Sequence, residues 1–342
     1  MSHRIPEDSA KKTRRHLDSR HLEKLQAHKG KATLGERLVP LGEFRQAVLA
    51  HGRALAPEER AAARDRYLAP KPDPTPVEGP FSRIVVFGGI YNNSYGLEAM
   101  LHAAREHRAE AAYCLGDFGG FGPDPEKVWP LLEQGGVRSI QGNYEASLAS
   151  GREDCNCGYA DPRDNYYADL SYRYTAERCS PEFKAWMGTH PQRRRVSVGD
   201  KELLLVHGSP RQVNEFLFAS TSPDPFLEVL LDQEQCDAIL CTHTGLHWHR
   251  RLPSGRDVVN VGVLGRPAND GHTHVWYAVL DATRGGSGLG IRLLPLRYDH
   301  RSLARDMRRE ELPEPFVETI LTGWWTTCLE ILPARERAAS RY

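Results

Sequence analysis

The chain has 342 residues, and 45 Lys and Arg side chains balance 45 Asp and Glu side chains, so its formal net charge is +0. A neutral chain has no overall field that attracts nucleic acid or an anionic membrane, and nucleic acid is therefore not an expected partner. No apolar stretch approaches the roughly 20 residues needed to span a bilayer, and Met1–Pro6 lacks the apolar core of a secretory signal. These features predict a cytoplasmic protein without a membrane partner.

Seven cysteines are scattered along the chain. An odd number in a long chain is typical of reduced thiols rather than of a disulfide framework. Cys155-Asn-Cys157 forms the one close pair, but no second pair at zinc spacing accompanies it, which disfavours a metal site there. Alternatively, this segment forms a lid over a site.

The first 80 residues differ in composition from the rest of the chain. Basic side chains recur from Lys11 to Lys31 with weak helical periodicity, and Leu38–Tyr67 has clearer helical spacing. Prolines recur from Pro70 to Pro80, a pattern typical of an extended linker. We therefore predict a basic helical arm followed by a proline-rich linker over residues 1–80. Solvation of this arm is favoured over binding to RNA or an acidic partner, because its charges are not interleaved with aromatic residues.

Residues 81–300 alternate short β-branched runs with segments of helical spacing, which predicts an α/β domain. The expected strands are Arg83–Phe87, Ala111–Leu115, Val137–Ile140, Glu202–Val206, Ala238–Cys241 and Val275–Leu280. The expected helices are Leu97–Ala104 and Pro125–Gln134.

Polar residues follow five of these predicted strands. In chain order the strands lead into Gly88-Gly89, Gly116-Asp117, Gly142-Asn143, His207 and His243. Buried strands need apolar residues only up to their ends, so a repeated polar cluster there indicates one shared site at the carboxyl edge of the sheet.

Residues 301–342 are predicted to form a C-terminal helical extension. Apolar residues from Phe316 to Ile331 recur at helical spacing and include the adjacent Trp324 and Trp325. Such a segment is expected to pack on its own domain. The alternatives are that its tryptophans form a homodimer contact or close the pocket.

The order and spacing of the motifs resemble those of the calcineurin-like metallophosphoesterases, particularly their small bacterial phosphodiesterase branch. Cys114-Leu-Gly-Asp117 stands at the family's G-D block, and Gly142-Asn143-Tyr144-Glu145 stands at its G-N-H-[DE] block. Val206-His207 stands at the lone histidine, and Asn260-Val-Gly262 stands at the closing N-x-G block. The resemblance covers about residues 82–300 and implies a four-layer αββα sandwich.

Several positions depart from the family pattern. At the first block, Gly89 and Tyr91 stand where the family has a metal-binding Asp and His. At the late G-H-x-H block, His243 stands at the first histidine and Gly245 at the second. Tyr144 replaces the histidine thought to protonate the leaving group. The resemblance thus implies that all ligands that bind only one of the family's two metal ions, and do not bridge both, are lost.

The ligands of the other metal position are all retained. The family pattern assigns them to Asp117, Asn143, His207 and His243, and so implies a mononuclear site for one divalent transition metal ion. Mixed nitrogen and oxygen ligands suit Fe, Mn, Zn or Co, and ligand type does not choose among these metals. The alternative is a decayed site whose polar residues only hydrogen-bond to one another.

Two further pairs of histidines follow His243. Gly271-His272-Thr-His274 repeats the letters of the G-H-x-H block but follows the closing block, whereas the family's metal histidines precede it. We therefore assign it to a loop and strand edge. His247 and His249 alternate along a predicted strand and are expected at its edge, with a place in the pocket as the alternative.

The resemblance implies hydrolysis of a small-molecule phosphoester or nucleotide-like substrate by a water bound to the single metal ion. Catalytic roles are expected for Asp117 and His207, and for Tyr144 as at most a weak acid, because the ordinary pKa of tyrosine is near 10. Guanidinium groups bind phosphate oxygens in a bidentate manner. The candidate substrate contacts are Asn93, Arg211, Arg250 and Arg266.

Two other functions stay open at this point. One is a non-catalytic protein of the same fold that binds a ligand or a protein partner. The other is a mononuclear metalloenzyme with chemistry other than phosphoester hydrolysis, since a fold does not fix a reaction.

Overall fold

The computed structural model describes residues 31–34, 37–40, 73–282 and 288–341, and the chain divides into two units, Met1–Ala69 and Pro70–Tyr342. Among these residues, no helix is long and apolar enough to cross a membrane.

In the first unit the described residues form two short antiparallel strands, β1 (Lys31–Leu34) and β2 (Arg37–Pro40). The predicted basic arm before Lys31 lies outside the described residues. So does the helix predicted over Leu38–Tyr67, apart from Leu38–Pro40, which belong to β2 rather than to a helix.

In the described part of the second unit, eleven strands form two sheets. The strands are β3 (Val77–Phe81), β4 (Arg83–Phe87), β5 (Ala111–Cys114), β6 (Arg138–Ser139), β7 (Arg193–Val198), β8 (Lys201–Val206), β9 (Ala238–Cys241), β10 (Trp248–Arg251), β11 (Asp257–Asn260), β12 (Val275–Ala282) and β13 (Leu289–Leu296).

One sheet has the order β10-β11-β9-β8-β7-β3, and the other has the order β13-β12-β4-β5-β6. Strands β4, β5 and β6 are parallel to one another, as are β8, β9 and β11. The proline-rich segment predicted as a linker ends in β3, which pairs in parallel with β7. Val77–Phe81 is therefore an edge strand of the larger sheet.

The two sheets pack face to face, and alternation along the strands divides the core between this interface and the helices. In β4, Ile84 and Val86 lie in the cluster between the sheets, whereas Val85 and Phe87 lie in the cluster formed with the helices. All four side chains are fully buried, as expected for a strand covered on both faces.

Helices cover the outer faces of both sheets. They are α1 (Ser94–Glu106), α2 (Val128–Gln134, preceded by a 3₁₀ turn over Pro125–Lys127), α3 (Asn143–Ser150), α4 (Pro162–Arg178), α5 (Pro181–Gly188), α6 (Asp224–Glu234), α7 (His300–Arg309), α8 (Glu314–Thr322) and α9 (Ala334–Ala338). Helices α1 to α5 pack on the five-stranded sheet, and α6 packs on the six-stranded sheet. This arrangement confirms the predicted αββα sandwich.

The C-terminal extension is helical only in part. The helical pattern from Phe316 to Ile331 stops at Thr322, because Gly323 adopts the left-handed conformation (φ +77°) that ends α8. Beyond it, Trp325 is fully buried in a cluster with Phe218 and Leu332. Burial against its own domain leaves Trp325 inaccessible to a homodimer partner.

Candidate metal centre and adjoining cavity

Four polar side chains meet where parallel strands end. Asp117 follows β5, Asn143 begins α3 after β6, His207 follows β8 and His243 follows β9. All four are buried. Because the two sheets lie face to face with these ends together, residues far apart in sequence reach one point.

His207 lies at the centre of this group. Its Nδ1 lies 2.6 Å from the carbonyl oxygen of Leu115, which can only accept, so Nδ1 carries the hydrogen and donates it. The other ring nitrogen, Nε2, lies 3.1 Å from Asn143 Oδ1, 3.1 Å from His243 Nδ1 and 3.2 Å from Asp117 Oδ2. The Leu115 carbonyl thus aims the Nε2 lone pair at the other three polar atoms.

The orientation of Asn143 is fixed in the same way. Its Nδ2 donates to the carbonyl oxygen of Cys155 at 2.8 Å, so its Oδ1 must be the atom that faces His207. Two acceptors, Oδ1 and the neutral Nε2, therefore face each other at 3.1 Å. Such a contact is favourable only when a proton or a metal ion lies between the acceptors.

The donor set fits a metal ion. Ligand atoms of Asp117, His207 and His243 lie within 4.8 Å of one another. Ligands held about 2.1 Å from an ion at angles of about 90–110° are separated by about 3.0–3.4 Å, which is the spacing found around His207 Nε2. One carboxylate, one amide oxygen and two imidazoles are ligands that Fe, Mn, Co and Zn accept.

The charge state of these side chains also suits metal binding. Burial raises the pKa of Asp117, but His207, His243 and the backbone N–H of Tyr144 together lower it more, so the net pKa falls below the ordinary value. Burial lowers the pKa of His243 to about 3, which leaves that ring neutral and its lone pair available. Burial also lowers the pKa of His207, but Asp117 outweighs this effect and the net pKa rises. The His207–Asp117 pair can thus hold either a proton or a cation.

Glu145 holds the loop that carries Asp117. Its carboxylate accepts hydrogen bonds of 2.7 Å from the backbone N–H groups of Asp117, Phe118 and Gly142. Burial and the Asp117 charge raise the pKa of Glu145 to about 7, against the effect of these three donors. Asp117 itself adopts the left-handed conformation (φ +59°), an uncommon one that the surrounding contacts must impose.

Bulky side chains lie close to Gly89 and Gly245, two positions at which the family pattern has metal ligands. A Cβ on Gly89 would lie only 2.9 Å from Cζ of the Tyr91 ring, and a Cβ on Gly245 would lie 3.0 Å from the Trp325 ring and 3.2 Å from Arg266 Nη2. Tyr91, Arg266 and Trp325 therefore fill space that an Asp and a His would need.

A cavity of about 50 Å³ adjoins the group of four. Asp117, Tyr144, His243 and Arg266 lie in its wall. The rest of the wall is mainly aromatic and comprises Tyr91, Gly120, Phe121, Cys157, Tyr159, Tyr167, Ala168, Ser171, Phe316 and Cys328.

Sequence reasoning missed the part of this wall that comes from α4, which supplies Tyr167, Ala168 and Ser171, and the part that comes from α8 and the loop after it, which supply Phe316 and Cys328. Neither segment has a family motif. A local signal for α4 was present in Asp161-Pro162, because Asp161 caps the helix and proline suits its first turn.

Tyr144 lines the cavity, but its hydroxyl already has a partner. It donates to Ser171 Oγ at 3.1 Å, and Ser171 Oγ also accepts from the backbone N–H of Phe121 at 2.6 Å. Burial raises the pKa of Tyr144 well above the ordinary value. Both features make its proton harder to transfer.

Of the four candidate substrate contacts, Arg266 lines the cavity and the other three do not. Asn93 caps α1 by accepting from Gly96 N–H, and its Nδ2 donates to the Leu264 carbonyl at 2.8 Å. Arg250 donates to the carbonyl groups of Ala219 and Ser222. These contacts are structural.

Arg211 pairs with Glu215 and is partly exposed. The later histidines also lie outside the cavity: His249 pairs with Asp257, and His247 stacks on Trp276. His272 and His274 lie in contact with each other in the segment before β12, as predicted for a loop and strand edge.

The expectation of reduced thiols is wrong for one pair of cysteines. Cys155 and Cys157 form a disulfide, whereas the other five cysteines are free and buried. Cys157 lines the cavity, and its Sγ lies 3.4 Å from Asn143 Nδ2. The disulfide loop is therefore part of the site rather than a separate element.

Comparison with known proteins identifies a matching family domain and several similar proteins. The calcineurin-like phosphoesterase superfamily domain matches residues 83–285. The chain is similar to the uncharacterised protein MJ0912 of Methanocaldococcus jannaschii, with 21% identity over 251 residues that cover 71% of this chain and 98% of that protein.

Two solved structures share the fold. One is a metallophosphoesterase from Sphaerobacter thermophilus, with 22% identity, a TM-score of 0.54, and coverage of 71% of this chain and 99% of that one. The other is the hypothetical protein PH1004 from Pyrococcus horikoshii OT3, with 21% identity, a TM-score of 0.60 and the same coverage. Because the domain match spans more than half of the chain, this protein belongs to the calcineurin-like phosphoesterase superfamily.

Proposed function

We propose that this protein is a phosphoesterase that uses one divalent transition metal ion, held by Asp117, Asn143, His207 and His243. The observation that carries the proposal is the arrangement around His207 Nε2, where three potential ligand atoms lie at 3.1–3.2 Å. The side chains of Tyr91, Arg266 and Trp325, which crowd the place of a second ion, support a single-metal site.

When bound, the ion would polarise a phosphoryl oxygen and lower the pKa of a water molecule toward neutrality. The chain supplies the rest. Asp117 contributes a negative charge, and the Leu115 carbonyl fixes the tautomer of His207. The mainly aromatic wall lowers the local polarity, which strengthens electrostatic interactions in the cavity.

A hydrolysis assay with p-nitrophenyl phosphate and bis(p-nitrophenyl) phosphate tests this proposal. The protein is loaded in turn with Mn²⁺, Fe²⁺, Co²⁺ and Zn²⁺, and Asp117→Asn serves as the paired variant. We expect metal-dependent turnover of at least one ester, and none in the variant. Bound metal without turnover of either ester would instead support a ligand-binding role for the same site.

Tyr144→Phe should reduce turnover by less than about tenfold. A positioned general acid contributes about 10²–10⁴-fold, but the Tyr144 hydroxyl has a raised pKa and already donates to Ser171. The measurement is kcat for p-nitrophenyl phosphate with metal content determined on the same sample. A loss of 100-fold or more at unchanged metal content would identify Tyr144 as the proton donor.

A further inference from the structure

Arg266 carries a buried charge that has no hydrogen-bond or ion-pair partner among the described residues. It is only 6% exposed, and its Nε has no hydrogen-bond partner. No described carboxylate lies within ion-pair distance of its guanidinium group. Burying an isolated cation is costly, and natural proteins almost always pair it.

The guanidinium group is nevertheless held firmly in place. Its Cζ lies 3.5 Å from the centroid of the Trp325 ring. Trp325 is fixed in turn, because its Nε1 donates to the Pro267 carbonyl at 2.6 Å and its backbone N–H donates to Asn269 Oδ1 at 2.8 Å. The C-terminal segment thus holds the Arg266 loop through hydrogen bonds from both the ring and the backbone of Trp325.

Arg266 lines the cavity, as do Asp117 and His243. A second donor is available there. Ser171 Oγ accepts from both Phe121 N–H and Tyr144 O–H, so its own hydrogen remains for a ligand. An arginine with unused donors, a serine hydroxyl and a neighbouring metal-binding group are together suited to a phosphoryl anion.

The size of the cavity limits what can enter. A volume of about 50 Å³ corresponds to roughly three to five water molecules, which is comparable to a phosphate group and much smaller than a nucleotide. A second ester substituent on phosphorus would enlarge the group beyond this volume. The walls therefore favour a phosphoryl group with one substituent.

We propose that this cavity binds the terminal phosphoryl group of a phosphomonoester, with Arg266 as the fixed cation in the place of a second metal ion. The proposal deepens the proposed function and rests on it for turnover, but the binding of the anion does not depend on turnover.

Calorimetric titration with inorganic phosphate tests the role of Arg266. We expect Arg266→Met to weaken phosphate binding by about 10- to 100-fold, because charge-assisted hydrogen bonds are lost, and to leave metal content unchanged. The phosphate affinity of Arg266→Lys should lie between those of wild type and Arg266→Met. Equal affinity in wild type and Arg266→Met, or no phosphate binding by the metal-loaded wild type, would overturn the proposal.

Arg211→Met is the matched control. Arg211 also lies over an aromatic ring, with its Cζ 4.8 Å from the Phe226 centroid, but it lies outside the cavity. Phosphate affinity should not change in this variant. Thermal unfolding distinguishes this role from a structural one. The melting temperature of Arg266→Met should stay the same or rise, because the variant removes a buried unpaired charge, whereas loss of a structural arginine would lower it.

Dimethyl phosphate tests the substrate class. It should bind at least tenfold more weakly than inorganic phosphate, and equal binding would overturn the assignment to a monoester. The two proposals can fail separately. Phosphate binding that depends on Arg266, without turnover, would support the anion site and contradict the hydrolase. Turnover with unchanged phosphate affinity and KM in Arg266→Met would contradict only the role of Arg266.

Discussion

Gly116→Ala is expected to destabilise the protein by about 2–5 kcal/mol, because two independent costs fall on one residue. Gly116 adopts φ +86°, a left-handed conformation that an alanine adopts only with strain. A Cβ there would also lie 2.7 Å from the Cα of Gly142 and closer still to its backbone nitrogen. Backbone atoms cannot rotate away, so the two loops that carry Asp117 and Asn143 would have to separate.

Gly151→Ala is the control that isolates the second cost. Gly151 also has a left-handed φ of +70°, but a Cβ on this residue would have no atom of another residue within 4 Å beyond its immediate neighbours. Its substitution should cost only about 1 kcal/mol, the conformational part alone. Denaturant unfolding of both variants measures the difference. Equal destabilisation of the two variants would show that the close contact between Gly116 and Gly142 does not affect the free energy of unfolding.

His207→Ala is expected to reduce metal affinity by at least about 100-fold and to abolish turnover. The variant removes the nitrogen around which the other three ligand atoms are arranged at 3.1–3.2 Å. Changes even to groups that only orient a metal ligand cost about 10–100-fold in affinity or activity, so loss of a ligand should cost at least as much. Metal titration and the p-nitrophenyl phosphate assay provide the two measurements.

His249→Ala provides the matched comparison. His249 also contacts a buried carboxylate, with its Nε2 2.8 Å from Asp257 Oδ1, but it lies on β10 outside the cavity. Its loss leaves Asp257 paired with Arg251 at 3.0 Å. Metal affinity should be unchanged. A similar loss in both variants would mean that removing any imidazole that contacts a buried carboxylate disturbs the protein and that the His207 result is not specific.

The strands can be predicted because their signals are local. Arg83–Phe87 and Ala238–Cys241 have the same bounds in the prediction and in the structure, since each is an apolar run bounded by glycine or polar residues. The meeting of Asp117, Asn143, His207 and His243 is predictable for the same reason. Within each sheet, parallel strands bring their carboxyl ends to one edge, and the face-to-face packing of the two sheets brings the edge with Asp117 and Asn143 to the edge with His207 and His243.

The cavity wall could not be predicted in this way. Ser171 and Tyr167 lie on α4, whose tyrosine-rich and polar sequence has only weak amphipathic periodicity. Trp325 reaches Arg266 only because Gly323 ends α8 and redirects the chain, which places the ring far from where a continuous helix would carry it. Contacts of this kind depend on the path of irregular segments, and no sequence period encodes that path.

The disulfide was missed for a related reason. Counting cysteines favours reduced thiols across a long chain, but Cys155 and Cys157 lie two residues apart in a loop whose carbonyl at Cys155 is bound by Asn143. Two cysteines this close in sequence can form a local bridge, which the overall number of cysteines does not reveal.

Metal content of the wild-type protein, measured by elemental analysis after purification without added metal and again after saturation, tests the central claim most directly. The arrangement of ligands predicts one equivalent of a divalent transition metal ion per chain, with no second equivalent at saturation. Two equivalents would contradict the proposal that Tyr91, Arg266 and Trp325 occupy the place of a second ion. No bound metal under either condition would contradict the assignment of Asp117, Asn143, His207 and His243 as ligands.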